Sequence, residues 1–162
     1  MENIKLSKNF TLSEFLKSST ASRLGINNTP TQEIVDNLKD LCENVLQPAR
    51  DHFGAIKINS GYRSAELCEA IGSTSHSNHT LGFAADVETN VPNIELLNWF
   101  YDNVEYKELI GEYFGENPSD GWVHIAYQKG NNKGELKIKT KDINYKRVDI
   151  NELNEICGYT GV

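Results

Sequence analysis

The chain has 162 residues, of which 38% are hydrophobic and 24% charged, and a formal net charge of −7. That length points to one domain, and that balance to a soluble globular protein able to bury a core; it excludes an intrinsically disordered chain. No Lys/Arg run resembles a phosphate-binding footprint, so no nucleic-acid partner is expected, and no stretch nears the roughly 18 apolar residues of a membrane span. The densest basic segment, residues 133–147, is diluted by Glu135 and Asp142.

In chain order, residues 1–10 lack an apolar run of signal-peptide length. This predicts synthesis in the cytoplasm, with another agent providing release if the target lies outside. Thr11-Leu12-Ser13-Glu14 has capping-box spacing and predicts a short helix through Phe15 and Leu16. Residues 21–30, rich in Asn and Gly, read as a loop. Ile34, Val35, Leu38, Leu41, Cys42, Val45, Leu46 and Ala49 recur at helical spacing and predict a long core helix, with Pro48 near its end. Residues 56–60 alternate like a half-buried strand. Residues 64–71 predict a helix with Ser64 as N-cap, closed by Gly72. A polar loop follows at residues 73–78, then a small apolar strand at 83–87 with Asp86 near its end. Pro92 and Asn93 open a helix carrying Leu96, Leu97, Phe100 and Tyr101. Strands are expected at 106–113, 122–127 and 135–139, and a last helix at 150–157. Helices come early and strands late, which predicts an α+β fold with a small antiparallel sheet flanked by helices. Cys42, Cys68 and Cys157 form no CxxC pair and read as free, mostly buried thiols.

The segment from Ser75 to Asp86, Ser-His-Ser-Asn-His-Thr-Leu-Gly-Phe-Ala-Ala-Asp, carries His79 seven residues before Asp86. His124 lies in Gly121-Trp122-Val123-His124-Ile125. Two imidazoles and one carboxylate are a ligand set for a catalytic zinc that keeps one position open. Adjacent strands would have to bring them together, with Gly82, Ala84 and Ala85 permitting close packing around the metal. His76 is an alternative to His79, and His52 reads as a surface or helix-end residue. A hydrolase also needs a general base. Glu112, Asp120 and Glu116 are the candidates. Arg63, in Ser60-Gly61-Tyr62-Arg63, is suited either to a substrate carboxylate or to a surface ion pair.

Three motifs, Ser60-Gly61-Tyr62-Arg63, Ser77-x-His79-x-x-Gly82-x-Ala84-x-Asp86 and Trp122-x-His124, occur together in a characteristic order and spacing. With them the chain resembles the zinc D-Ala-D-Ala carboxypeptidases and L-alanyl-D-glutamate endopeptidases that cut peptidoglycan stem peptides. Phe10-Thr11-Leu12-Ser13-Glu14, residues 26–30 and the stretch from Asn37 to Pro48 are similar to the small single-domain members, many of them encoded by phages. The resemblance covers about residues 10–127; residues 128–162 match nothing assignable. It implies a fold like that of the hedgehog and DD-peptidase domains. It also implies zinc held by His79, Asp86 and His124, and substrate held by Arg63 and Ser77. Some members carry the catalytic acid three residues before the last histidine, where this chain has Gly121. In the small phage-like members the acid sits on the preceding strand, and Glu112 matches it. The expected protein is thus a monomeric zinc peptidase of endolysin type, acting on the cell wall after release or from a virion. The competing readings are a non-catalytic zinc-stabilised module that binds wall peptide or a partner protein, and a zinc hydrolase of another small amide.

Overall fold

The computed structural model describes residues 3–73 and 77–161. A two-stranded ribbon, β1 (Lys5–Ser7) and β2 (Phe10–Thr11), precedes helices α1 (Leu12–Leu16), α2 (Ser19–Leu24) and α3 (Gln32–Leu41). A π-helical segment (Cys42–Leu46) joins α3 to α4 (Gln47–Phe53). There follow β3 (Lys57–Ser60), α5 (Ala65–Ala70), a 3-10 turn (Asn78–Leu81), β4 (Ala84–Glu88) and α6 (Asn93–Asn103). The chain closes with β5 (Glu108–Glu112), β6 (Trp122–Ala126), β7 (Glu135–Ile138), β8 (Lys146–Arg147) and α7 (Ile150–Ile156). The α+β expectation holds. The main sheet, however, is six-stranded, in the order β3-β4-β6-β5-β7-β8, and β7 runs parallel to β5. The expected sheet flanked by helices is present, larger than expected and with one parallel pair among the described residues, and its two outer strands β7 and β8 come from the unassigned C-terminal segment.

Local chemistry accounts for the element ends. The Glu14 carboxylate accepts the Thr11 N–H at 2.7 Å, the reciprocal half of a capping box that starts α1. The Ser18 hydroxyl accepts the Ala21 N–H at 3.1 Å, and Gly25 closes α2 at φ 67°. These two caps turn the first part of the expected 21–30 loop into a helix. The long core helix is present, but Pro48 lies inside it. Proline has no N–H for the helical ladder, and the backbone widens just before it: the Gln47 N–H reaches the Cys42 carbonyl, five residues back.

Strand alternation decides which face does what. Ala85, Val87, Leu109, Val123, Ile125, Leu136 and Ile138 point into the core, where the helices cover them. On the opposite face, Asp86 is paired with His124, His124 with Ile110, and Ile110 with Lys137, one row across four strands. Glu108 and Glu112 flank Ile110 along β5. That row is the floor of an open cleft. Cys42, Cys68 and Cys157 are buried free thiols. Among the described residues, no helix is long and apolar enough to cross a membrane.

Candidate metal centre

His79 is carried by the 3-10 turn, Asp86 by β4 and His124 by β6, and one donor atom from each lies within 4.8 Å of the other two. The turn is fixed from both ends. The Ser77 hydroxyl accepts the His79 N–H at 3.1 Å, and Gly82 closes the turn at φ 77°. A Cβ at Gly82 would lie 2.8 Å from the Ile34 carbonyl. This glycine therefore serves the approach to α3 and not, as the sequence suggested, packing around a metal. The loop after β3 holds His79 twice more. Gly61 accepts from its ring, and the Arg63 N–H donates to its carbonyl at 3.2 Å. Asn28 pins this loop in turn, donating to the Tyr62 carbonyl and accepting from the Ser64 N–H.

Proton accounting shows what the three donors require. His79 Nδ1 lies 2.7 Å from the Gly61 carbonyl oxygen, which can only accept, so Nδ1 carries the proton. In the neutral ring Nε2 is then a bare lone pair. It is buried, without a hydrogen-bond partner among the described residues, and 3.4 Å from Asp86 Oδ1. Burial lowers the pKa of His79, which keeps that lone pair available. His124 faces carboxylates on both sides: Nε2 is 2.9 Å from Glu108 Oε1 and Nδ1 is 3.1 Å from Asp86 Oδ1. Burial alone would lower its pKa, but the bonds to Asp86 and Glu108 outweigh that and push it up to about 9. Burial likewise opposes ionisation of Asp86, yet the two histidines hold it well below the usual carboxylate range. With its pKa at about 9, the metal-free His124 ring is an imidazolium that donates to both carboxylates at neutral pH, and a cation would take the place of the Nδ1 proton. With Nε2–H donated to Glu108, His124 Nδ1 becomes a second lone pair aimed at Asp86. Two nitrogen lone pairs and a carboxylate oxygen converging on one point fit a divalent cation, and nitrogen and oxygen donors of this kind suit zinc.

The supporting shell extends beyond the expected residues. Glu108 bridges His124 to Lys137, whose Nζ lies 2.8 Å from Glu108 Oε2. These bonds outweigh its burial and bring Glu108 down to about 2. A carboxylate on the distal nitrogen of a ligating histidine fixes the tautomer and the ring orientation. Glu108 was missed in the sequence although period-two alternation with Glu112 places both on one face. Lys137 and Tyr145 carried no such signal.

A cleft of about 630 Å³ opens over the cluster and is lined by Arg63, Ser77, Glu112, Trp122, Lys137 and Tyr145 among others. Arg63 Nη2 is 3.8 Å from Asp86 Oδ2, and its buried Nε has no partner among the described residues. The Ser77 hydroxyl caps the turn as well as lining the cleft. Glu112 is buried at the end of β5 and accepts a hydrogen bond from the Tyr145 hydroxyl at 3.0 Å. Burial is the main cause of its raised pKa. Asp120 and Glu116 line a separate cavity of about 560 Å³. At Gly121, φ is 67° and a Cβ would lie 1.9 Å from the Glu112 carbonyl oxygen, so no side chain fits there. His52 stacks on Trp99, away from the cluster. His76 lies outside the described residues.

A mixed sheet presenting two histidines and an aspartate on the floor of an open cleft is the arrangement of a metallohydrolase. The family model Peptidase M15 matches residues 8–126. The chain belongs to this family, that of the zinc D-Ala-D-Ala carboxypeptidase-like enzymes, and is a zinc-dependent metallopeptidase. No curated protein matches it.

Proposed function

We propose that the chain hydrolyses an amide bond in the stem peptides of bacterial peptidoglycan, as a carboxypeptidase or endopeptidase of the phage endolysin kind. It would reach the wall after release through a membrane lesion, or from a virion. The observation that supports this best is the convergence of His79 Nε2, Asp86 Oδ1 and His124 Nδ1 in a cleft that also holds the buried carboxylate of Glu112.

In this reading His79, Asp86 and His124 hold the zinc. When bound, zinc supplies Lewis acidity, which acidifies a water and polarises the scissile carbonyl. Glu112 takes the proton from the attacking water and delivers it to the leaving amine. Its raised pKa makes the carboxylate a stronger base toward the attacking water and keeps the resulting acid protonated until the amine leaves. Arg63 offers its guanidinium to a substrate carboxylate or to the oxyanion that develops at the carbonyl. Ser77 helps to hold the substrate beside it. The alternative of a non-catalytic module drew on Gly121 in the usual acid position. That support weakens once residue 121 has no room for any side chain and a neighbouring strand supplies a carboxylate to the cleft.

The test is digestion of purified peptidoglycan by the zinc-loaded protein and by Glu112→Gln, with released fragments identified by mass spectrometry. Wild type should release a new fragment that names the bond. Glu112→Gln should keep its zinc and lose about 100-fold of the rate. Zinc-loaded wild type that releases nothing from several wall chemotypes would overturn the proposal.

A further inference from the structure

We propose that Tyr145 is a positioning residue for the reaction: its hydroxyl holds one oxygen of the Glu112 carboxylate and so presents the other to the attacking water. The inference rests on Glu112 being the general base proposed above. It concerns a residue outside the region matched by the family, 8–126, and so a feature supplied by this chain's own C-terminal segment.

Three observations carry it. First, the Tyr145 hydroxyl donates to Glu112 Oε2 at 3.0 Å, and among the described residues this is the one hydrogen bond to that carboxylate. Among the described residues Oε1 has no protein donor, which leaves it to accept a proton. A carboxylate on a strand end would otherwise sweep its terminal torsion, which is broad and weakly held. One fixed oxygen removes that freedom, and reacting groups held in register are a large part of catalysis.

Second, the tyrosine is delivered by structure and not by a loose tail. β7 is hydrogen-bonded to β5 in parallel register, and the Lys139 N–H continues the pairing to the Gly111 carbonyl at 2.9 Å. The chain then turns at the buried Thr140, whose hydroxyl accepts the N–H groups of Asp142 and Ile143 at 3.1 and 2.9 Å. Ile143 packs against the core. β8 returns along β7 directly after Tyr145. The residue is half exposed and lines the cleft, and its hydroxyl reaches the buried Glu112, so burial of the ring is not what places it.

Third, two non-glycine residues adopt positive φ among those described: Tyr145 at 35° and Tyr113 at 56°. One bonds to Glu112 and the other follows it in sequence. Backbone in this region is unfavourable for a side chain and persists where the surroundings over-determine it, often at functional sites.

The experiment is a double-mutant cycle on solubilised peptidoglycan, comparing wild type, Tyr145→Phe, Glu112→Gln and the double variant, with zinc content and circular dichroism measured on each. Tyr145→Phe should lose about ten-fold in kcat, the size of one hydrogen bond to a charged group, with KM within about two-fold and zinc unchanged. In the Glu112→Gln background the same substitution should change nothing, because a residue that acts through Glu112 has nothing left to act on. Wild-type kcat in Tyr145→Phe, or the same factor lost in both backgrounds, would overturn the proposal while leaving Glu112 as the base. Equal cleavage by wild type and Glu112→Gln would remove the base assignment, and the role of Tyr145 would fall with it.

Discussion

At the scale of single residues, the site depends on where protons can and cannot sit. Gly61 occupies Nδ1 of His79 and Glu108 occupies Nε2 of His124, and each leaves the opposite nitrogen for a cation. Glu108 is therefore as much a part of the centre as the three donors. Glu108→Gln keeps the shape but weakens the acceptor and removes the charge that Lys137 meets at 2.8 Å, leaving Lys137 with Glu135 at 3.6 Å. Such a change should lower zinc affinity about 10–100-fold, read by competition with a chelating dye, while the fold survives. Unchanged affinity would show that His124 needs no carboxylate to set its tautomer. The three donors themselves were legible in the sequence because their spacing matches a specific motif. Glu108 was not, because a glutamate in a chain with 23 acidic residues reads as a solvated charge until a sheet row places it. Asp120 shows the converse: it is close to His124 in sequence, yet the turn that Asn93 ties at the carbonyls of Ser119, Asp120 and Gly121 carries it into the other cavity.

At the scale of elements, the loop after β3 links the N-terminal helices to the metal centre. A Cβ at Gly61 would meet Phe15 Cα at 2.7 Å and its Cβ at 2.8 Å, so α1 and this loop touch backbone to backbone. Gly61→Ala should force them apart and move the carbonyl that orients His79. The expected cost is about 1–3 kcal/mol, read as a lower Tm, together with weaker zinc binding. An unchanged Tm and affinity would mean that the loop can slide without consequence. Most elements could be read from periodicity and caps. The short α2 could not, because Asn and Gly at residues 25–28 dominated a segment whose helix begins earlier, at Ser18. Nor could the π-helical widening, which is the backbone's response to a proline placed inside a helix whose apolar face continues through Ala49.

At the scale of the whole molecule, β7 and α7 fall where the sequence predicted a strand and a helix, but the short β8 and the place of β7 in the sheet were left unread. No motif announces that β7 will run parallel to β5, since its pattern of alternation would suit either edge and either direction. The consequence is large, because β7 covers an edge that β5 would otherwise expose. The buried residues Leu136, Ile138 and Leu153 complete the core from this segment. The helices α6 and α7 are further joined by a reciprocal amide pair, Asn98 with Asn154, at 2.9 Å in both directions. A chain ending at residue 129 keeps His79, Asp86 and His124 but loses these, and it should form an expanded, dye-binding state without cooperative unfolding. Sharp two-state melting of that fragment would show the segment to be an accessory and not part of the core.

The central claim, that His79, Asp86 and His124 form the zinc site, is tested most directly by locating the metal. Anomalous diffraction at the zinc absorption edge, from crystals of the zinc-loaded protein, gives its position without assuming any activity. A single strong peak within about 2.0–2.2 Å of His79 Nε2, an Asp86 carboxylate oxygen and His124 Nδ1 is the predicted result. A peak elsewhere, or none at these three atoms in a protein that binds zinc stoichiometrically, would contradict it.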